Sequence, residues 1–285
     1  MRQGSGQLPE SAVKIWRIRL LDGNTRLGLD GKWISSGCFV VYENNELTMP
    51  IHPDLDLQAT IRPGLDILAN EIVIALKKRT RFYVNSAVYE PGLVIGLPEQ
   101  DLLRYELGQV ERCHAELGRY SFAAQDAYSD VSNVPRVIAR EAPRSPVREM
   151  ASGVGSGIIA FYRQWIDRAC PAGENRNTYG ETVTADVVAL LAIMERVNLG
   201  KLVAESKFLE MPEAFVETGG DRQAMLHYIV RSDREQKVIE LAENLAAHYD
   251  LEPARAVEVF EFMIAVTIDI EVDYLRLRID EFSST

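Results

Sequence analysis

The chain has 285 residues, 47% hydrophobic and 26% charged, with 31 Lys and Arg against 42 Asp and Glu and a net charge of −11. That composition is globular, and a chain this long buries roughly three quarters of its unfolded surface without a disulfide or a metal. The acidic balance argues against nucleic acid or an anionic membrane surface as the main partner, while leaving room for a small anion held by a local cluster of cations.

Three cysteines, Cys38, Cys113 and Cys170, are isolated and odd in number. Without CxxC or Cys/His spacing they predict no zinc site and no disulfide framework, as in a reducing cytosol. Met1 to Glu10 lacks the apolar run of a signal peptide and the Arg/Ser-rich character of a transit peptide. No apolar stretch reaches the ~18–20 residues of a membrane span. A cytoplasmic protein is the expectation.

In chain order, alternation over Val13–Leu20 followed by Asp22-Gly23-Asn24 predicts a strand and a turn, and Cys38–Tyr42 a second strand. Residues 1–54 are therefore expected to form a small β-rich extension, and residues 55–285 a separate helical domain. Leu65, Leu68, Ile72 and Leu76 repeat at helical spacing, with Lys77, Lys78, Arg79 and Arg81 at the end where the helix dipole favours cations. Asn85–Leu97 reads as a loop, Glu99–Leu117 as an amphipathic helix, and the Pro- and Gly-bearing stretch Ser121–Val154 as a long surface connection. Helices are predicted over Gly157–Ala169, Thr184–Phe208 and Gln223–Asp250, with a last one opened by Pro253 and running to Asp280. Helices without interleaved strands give an all-α bundle.

Three residue groups on those helices could carry chemistry. Arg196 and Lys207 lie eleven residues apart, which returns them to within about 20° on one helix face with Cα atoms roughly 16 Å apart. Lys201 falls on a different azimuth. Arg231 and Glu235 are one turn apart, a spacing that usually makes a modest surface pair. Thr267 and Glu271 share a face among Ile264 and Ile268, an apolar setting in which a Glu holds its proton to higher pH. On spacing alone, the bland reading as ordinary solvated side chains is the better one for all three groups. The four histidines are scattered with no nucleophile signature, and Gly153–Gly157 lacks the spacing and preceding strand of a nucleotide loop.

The neighbours of these residues change that balance. Arg196–Phe208 matches an RxxxGKxVAExKF motif almost completely, and in this respect the chain resembles the eukaryotic-type, all-helical chorismate mutases. Asp66–Phe82 with Val88-Tyr89-Glu90-Pro91-Gly92 looks like that family's first helix and its following loop. Glu111–Tyr120, Tyr179–Asp186 and Glu271–Arg276 resemble three further family segments in the same order. The similarity runs from about Leu55 to Asp280.

The resemblance implies the helical-bundle chorismate mutase fold and the unimolecular rearrangement of chorismate to prephenate, in phenylalanine and tyrosine biosynthesis, by a homodimer that uses no cofactor and no metal. It implies that Arg196 and Arg62 hold the substrate carboxylates and that Lys207 meets the ether oxygen. Glu235 would accept from the ring hydroxyl, and Thr267 and a protonated Glu271 would complete the wall. Three departures stand out. Arg62 precedes Pro63-Gly64, and proline disfavours helical geometry at the residue before it. Arg231 stands where a smaller polar residue is expected, beside the hydroxyl site. The effector site is degenerate: of its paired arginines only Arg119 remains, and Glu181 replaces a Ser beside Gly180 and Thr184. Weak or absent allosteric control follows. The competing readings are a mutase of a chorismate analogue, such as isochorismate or aminodeoxychorismate, suggested by Arg231, and a non-catalytic partner-binding protein on the same fold.

Overall fold

A computed structural model describes residues 55–139 and 145–284, together with short strand segments at 28–29, 32–33, 41–43 and 46–48. The chain divides into two units, Met1–Pro50 and Ile51–Thr285. In the first, β1 (Gly28–Leu29) pairs antiparallel with β2 (Lys32–Trp33), and β3 (Val41–Glu43) with β4 (Glu46–Thr48). Pairs of two and three residues do not support a β-rich extension. The strand expected over Val13–Leu20 lies outside the described residues, and only the end of the one expected over Cys38–Tyr42 coincides with β3.

The second unit is helical. Its helices are α1 (Arg62–Arg79), α2 (Leu102–Glu116), α3 (Gly155–Ala169), α4 (Tyr179–Glu210), α5 (Pro212–Glu217), α6 (Arg222–Ile229), α7 (Ser232–His248) and α8 (Pro253–Ser283). Local chemistry sets several boundaries. Asp101 caps α2 by accepting from the Arg104 N–H, Asp221 caps α6 by accepting from Ala224, and Pro212 and Pro253 open α5 and α8 in the first turn, where no N–H is needed. No helix among the described residues is long and apolar enough to cross a membrane.

Two expectations need correcting here. The single helix predicted over Gln223–Asp250 is two, because Val230 (ψ 132°) and Arg231 (φ −135°, ψ 86°) are extended and turn the chain between α6 and α7. A continuous helix would have spent the Ile229 carbonyl on a backbone N–H; the break leaves it available to a side chain. The stretch Ser121–Val154 is irregular but not simply a surface connection. Residues 121–129 are half-buried and Val147 is buried, because buried charges hold the segment down. Glu111 on α2 accepts from the Tyr128 and Ser129 N–H groups, and Lys201 on α4 donates to Asp126 and to the Met150 carbonyl.

α4 and α8 form the most extensive helix pair. Their contacts advance together, from Arg196 on Phe260 to Glu205 on Tyr274 and Arg278, so the two helices run parallel. α1 runs antiparallel to α4, with Arg79 on Asp186. The apolar core is divided along α4 and α8: one cluster holds Val197, Phe260, Met263 and Ile270, the other Ala204, Phe208, Val272 and Leu275. Between the two clusters lie buried polar residues of both helices, among them Asn198 and Lys201 on α4 and Glu271 on α8.

Candidate active site

α4 contributes two cations and a glycine to that division. Arg196 is 5% exposed, with its guanidinium carbon 5.3 Å from the centre of the Phe260 ring on α8. Its Nε is buried and without a hydrogen-bond partner, and among the described residues no carboxylate is within ion-pair distance of the side chain. Burial brings its pKa down to about 10, opposed by the charge of Asp66 on α1, so it is still a cation at neutral pH. A buried cation without a counter-ion is costly, and an anionic ligand would remove that cost.

Lys207, in the last turn of α4, has partners. Its Nζ donates to Glu271 Oε2 at 2.7 Å and to the carbonyl of Ile229 at 3.0 Å, the oxygen freed by the break between α6 and α7. Glu271 is buried on α8. Burial raises its pKa above the ordinary carboxylate value; Lys207 opposes the rise and Glu235 on α7 adds to it. One turn before Glu271, the Thr267 hydroxyl is buried and has no partner.

Lys207, Glu235 and Glu271 thus meet from three helices, with Thr267 one turn before Glu271 on α8 and Arg196 further back on α4, over Phe260. Arg62 is the first residue of α1, in helical geometry (φ −64°, ψ −47°) despite the proline that follows. The expectation that Pro63 disturbs the preceding residue is met differently. The chain enters α1 through a π-turn, Leu57–Ile61, capped by Asp56, and the Arg62 N–H reaches back to the Leu57 carbonyl. A π-turn is wider than an α-turn, which leaves room for the proline ring. Asp66, the residue acting on Arg196, lies one turn after Arg62, so the start of α1 is at the Arg196 end of the cluster. Arg231 is exposed at the start of α7, and among the described residues no ion pair joins it to Glu235; instead its backbone carbonyl accepts from the Glu235 N–H. The helical pairing expected of these two is not formed, since Arg231 lies outside the helix.

Known proteins share this chain's pattern. Residues 179–272, which include α4, α6, α7 and the site-bearing part of α8, match the family model "Chorismate mutase type II". A chorismate mutase of Emericella nidulans is 32% identical over 252 residues, covering 79% of this chain and 93% of the relative. This chain belongs to the chorismate mutase family. A Schizosaccharomyces pombe chorismate mutase is 25% identical over 77% of this chain and 95% of its own length. Among solved structures, a Candida albicans chorismate mutase in complex with L-Trp superposes with a TM-score of 0.71 at 26% identity, covering 79% of this chain and 92% of that one.

Within this member of the chorismate mutase family, the four residues expected at a degenerate effector site are not one cluster. Arg119 donates to Glu195 at 2.6 Å near the middle of α4, while Thr184 donates to Glu106 on α2, and Gly180 and Glu181 lie in the first turn of α4. Glu181 and Glu195 are fourteen residues apart, about 21 Å along the helix.

The structure also adds residues that sequence reasoning passed over. Phe260 under Arg196 precedes Thr267 by seven residues and Glu271 by eleven, helical spacing that marks the same face. The Ile229 carbonyl carries no side-chain signal at all. Lys201, inside the motif but off the Arg196 azimuth, is fully buried and binds Asp126 at 2.9 Å, and Glu205 accepts from Tyr274 and Arg278. The motif thus has two faces, one toward the cluster and one holding neighbouring segments.

Proposed function

We propose that the protein catalyses the rearrangement of chorismate to prephenate, on the path to phenylalanine and tyrosine, at the cluster of Arg196, Lys207, Glu235, Thr267 and Glu271, with Arg62 closing one end. The observation that carries this reading is the buried guanidinium of Arg196, which has an unpartnered Nε and, among the described residues, no carboxylate at ion-pair distance, together with the unpartnered Thr267 hydroxyl on the neighbouring helix α8. Two buried donors without partners, one a guanidinium on α4 and one a hydroxyl on α8, fit an anionic, oxygen-rich ligand.

The reaction breaks a C–O bond and forms a C–C bond within one molecule, so electrons and atoms balance without a cofactor or a metal. The protein has to hold a dianion in a compact chair-like conformer and stabilise negative charge building on the ether oxygen. Arg196 and Arg62 suit the carboxylates because a guanidinium can bind one through two hydrogen bonds. Lys207 is preorganised by Glu271 and Ile229 to place its ammonium at the ether oxygen, a contribution of about 3–4 kcal/mol for a donor of this kind. Glu235 accepts from the ring hydroxyl, with Arg231 nearby in sequence. Thr267 and protonated Glu271 supply the remaining donors.

Residues 55–285 carry this activity, in a cytoplasmic homodimer, with 1–54 outside the chemistry. The homodimer rests on what the family implies. The test is loss of chorismate absorbance, wild type against Lys207→Ala. Turnover that vanishes in the variant supports the reading. No turnover by the wild type favours a partner-binding role, and turnover of isochorismate or aminodeoxychorismate alone favours an analogue mutase.

A further inference from the structure

We propose that Gly200 is a positioning residue of this site: its missing side chain sets how closely α8 brings Thr267 and Glu271 to Arg196 and Lys207. This rests on the reading of those four groups given above. Gly200 lies on α4 one turn after Arg196 and about two turns before Lys207, buried against α8. A Cβ at this position would stand 3.0 Å from Thr267 Cγ2, but 3.5 Å from both Ile270 Cγ2 and the Thr267 carbonyl oxygen. Only the first contact is tighter than ordinary packing, so one methyl group decides whether a side chain fits.

Glycine is a poor choice for the interior of a 32-residue helix, where alanine is intrinsically preferred. Its presence there calls for a packing reason, and the Thr267 methyl supplies one. The same threonine carries the unpartnered buried hydroxyl. Glu271, one turn further along α8, holds Lys207 at 2.7 Å. A Cβ at Gly200 therefore pushes against the residue whose hydroxyl faces the ligand, and through α8 against the partner of Lys207. Displacements of a few tenths of an ångström suffice to cost rate, because donors act only when aimed at the reacting atoms.

The test is a double-mutant cycle of Gly200→Ala with Thr267→Ser, because serine keeps the hydroxyl and removes the methyl that the new Cβ meets. With Thr267 in place, Gly200→Ala is expected to lower kcat by about tenfold with a smaller change in KM. In the Thr267→Ser background the same change should alter kcat by less than about twofold, a rescue that a general folding defect would not show. Equal losses in both backgrounds, or no loss with Thr267 in place, would overturn the inference. Melting temperatures of all four proteins separate this result from failure of the proposed function. If the wild type does not consume chorismate, the function falls, and coupling in the melting temperatures still reads the Gly200–Thr267 contact; additive effects there would overturn it.

Discussion

Lys207 on α4 and Glu271 on α8 hold each other at 2.7 Å across two parallel helices, with the Ile229 carbonyl as the second acceptor for the ammonium. This arrangement fixes a long, flexible side chain before any ligand arrives. Lys207→Ala should lower kcat by roughly two to three orders of magnitude, the usual effect of losing one preorganised donor. Glu271 can take up a proton when its partner goes, so the fold should survive; circular dichroism alongside the chorismate assay checks both points.

The same pair sets a pH dependence. Burial raises the pKa of Glu271 in the folded protein, Glu235 adds to the rise, and Lys207 opposes it. The protonated, donating form is therefore populated below this raised value and lost as pH increases through it. A ligand oxygen that draws Lys207 away removes the opposing influence and raises the value further. Activity should be highest on the mildly acidic side and decline toward alkaline pH, and Glu271→Gln, which donates at every pH, should flatten the profile. A Gln variant with the wild-type profile would remove Glu271 from this role.

Arg196 gives a prediction in which stability and activity move in opposite directions. It is a buried cation with an unpartnered Nε, and Phe260 is its nearest aromatic support. Replacing it with Met keeps the volume and removes the desolvation cost. Arg196→Met should therefore abolish turnover while raising the melting temperature, at about 2–4 °C per kcal/mol for a body of this size. A lower melting point would mean that Arg196 stabilises the free protein.

Effector control should be weak. Arg119 is already engaged with Glu195 at 2.6 Å, and the carboxylate of Glu181 would repel that of an amino acid. Added tyrosine or tryptophan should change the rate by less than about fivefold, the lower end of ordinary allosteric coupling. A sigmoidal chorismate curve that either amino acid shifts would contradict this.

What the sequence revealed follows from which signals are local. The α4 motif, the Pro253 start of α8 and the shared face of Thr267 and Glu271 are properties of single segments, and all could be read before the fold was known. The break at Val230–Arg231 had no proline or glycine to announce it. Its consequence, a carbonyl presented to Lys207, depends on α4 and α6 meeting in space. The fixed connection after α2 was missed for the same reason: Lys201 and Asp126 are 75 residues apart, and nothing in either segment names the other. Arg79 shows the limit most clearly. As one of four basic residues around the end of α1 it read as a dipole-stabilising cation, yet it is fully buried.

That burial supports the last prediction. Arg79 Nε donates to Asp186 Oδ1 at 2.6 Å, and its remaining donors reach the carbonyls of Tyr83 and Val84 and the hydroxyl of Tyr89. Asp186 also accepts from Tyr89 at 2.7 Å and from Tyr162 at 3.1 Å, and this ring of contacts joins α1, α3 and α4 with the turn after α1. Burial pushes the Asp186 carboxyl up to about 6, against the pull of Arg79 and the two hydroxyls, and it stays ionised at neutral pH. Asp186→Ala would leave the Arg79 Nε and two phenol hydroxyls buried with no acceptor and the guanidinium with no counter-charge, a loss of about 3–5 kcal/mol. Asp186 is ten residues before Arg196, roughly 15 Å along α4, so the ligand-facing groups are not disturbed directly. The variant should unfold at a much lower denaturant midpoint while its folded fraction keeps the wild-type KM. A raised KM at unchanged stability would instead place Asp186 in the binding machinery.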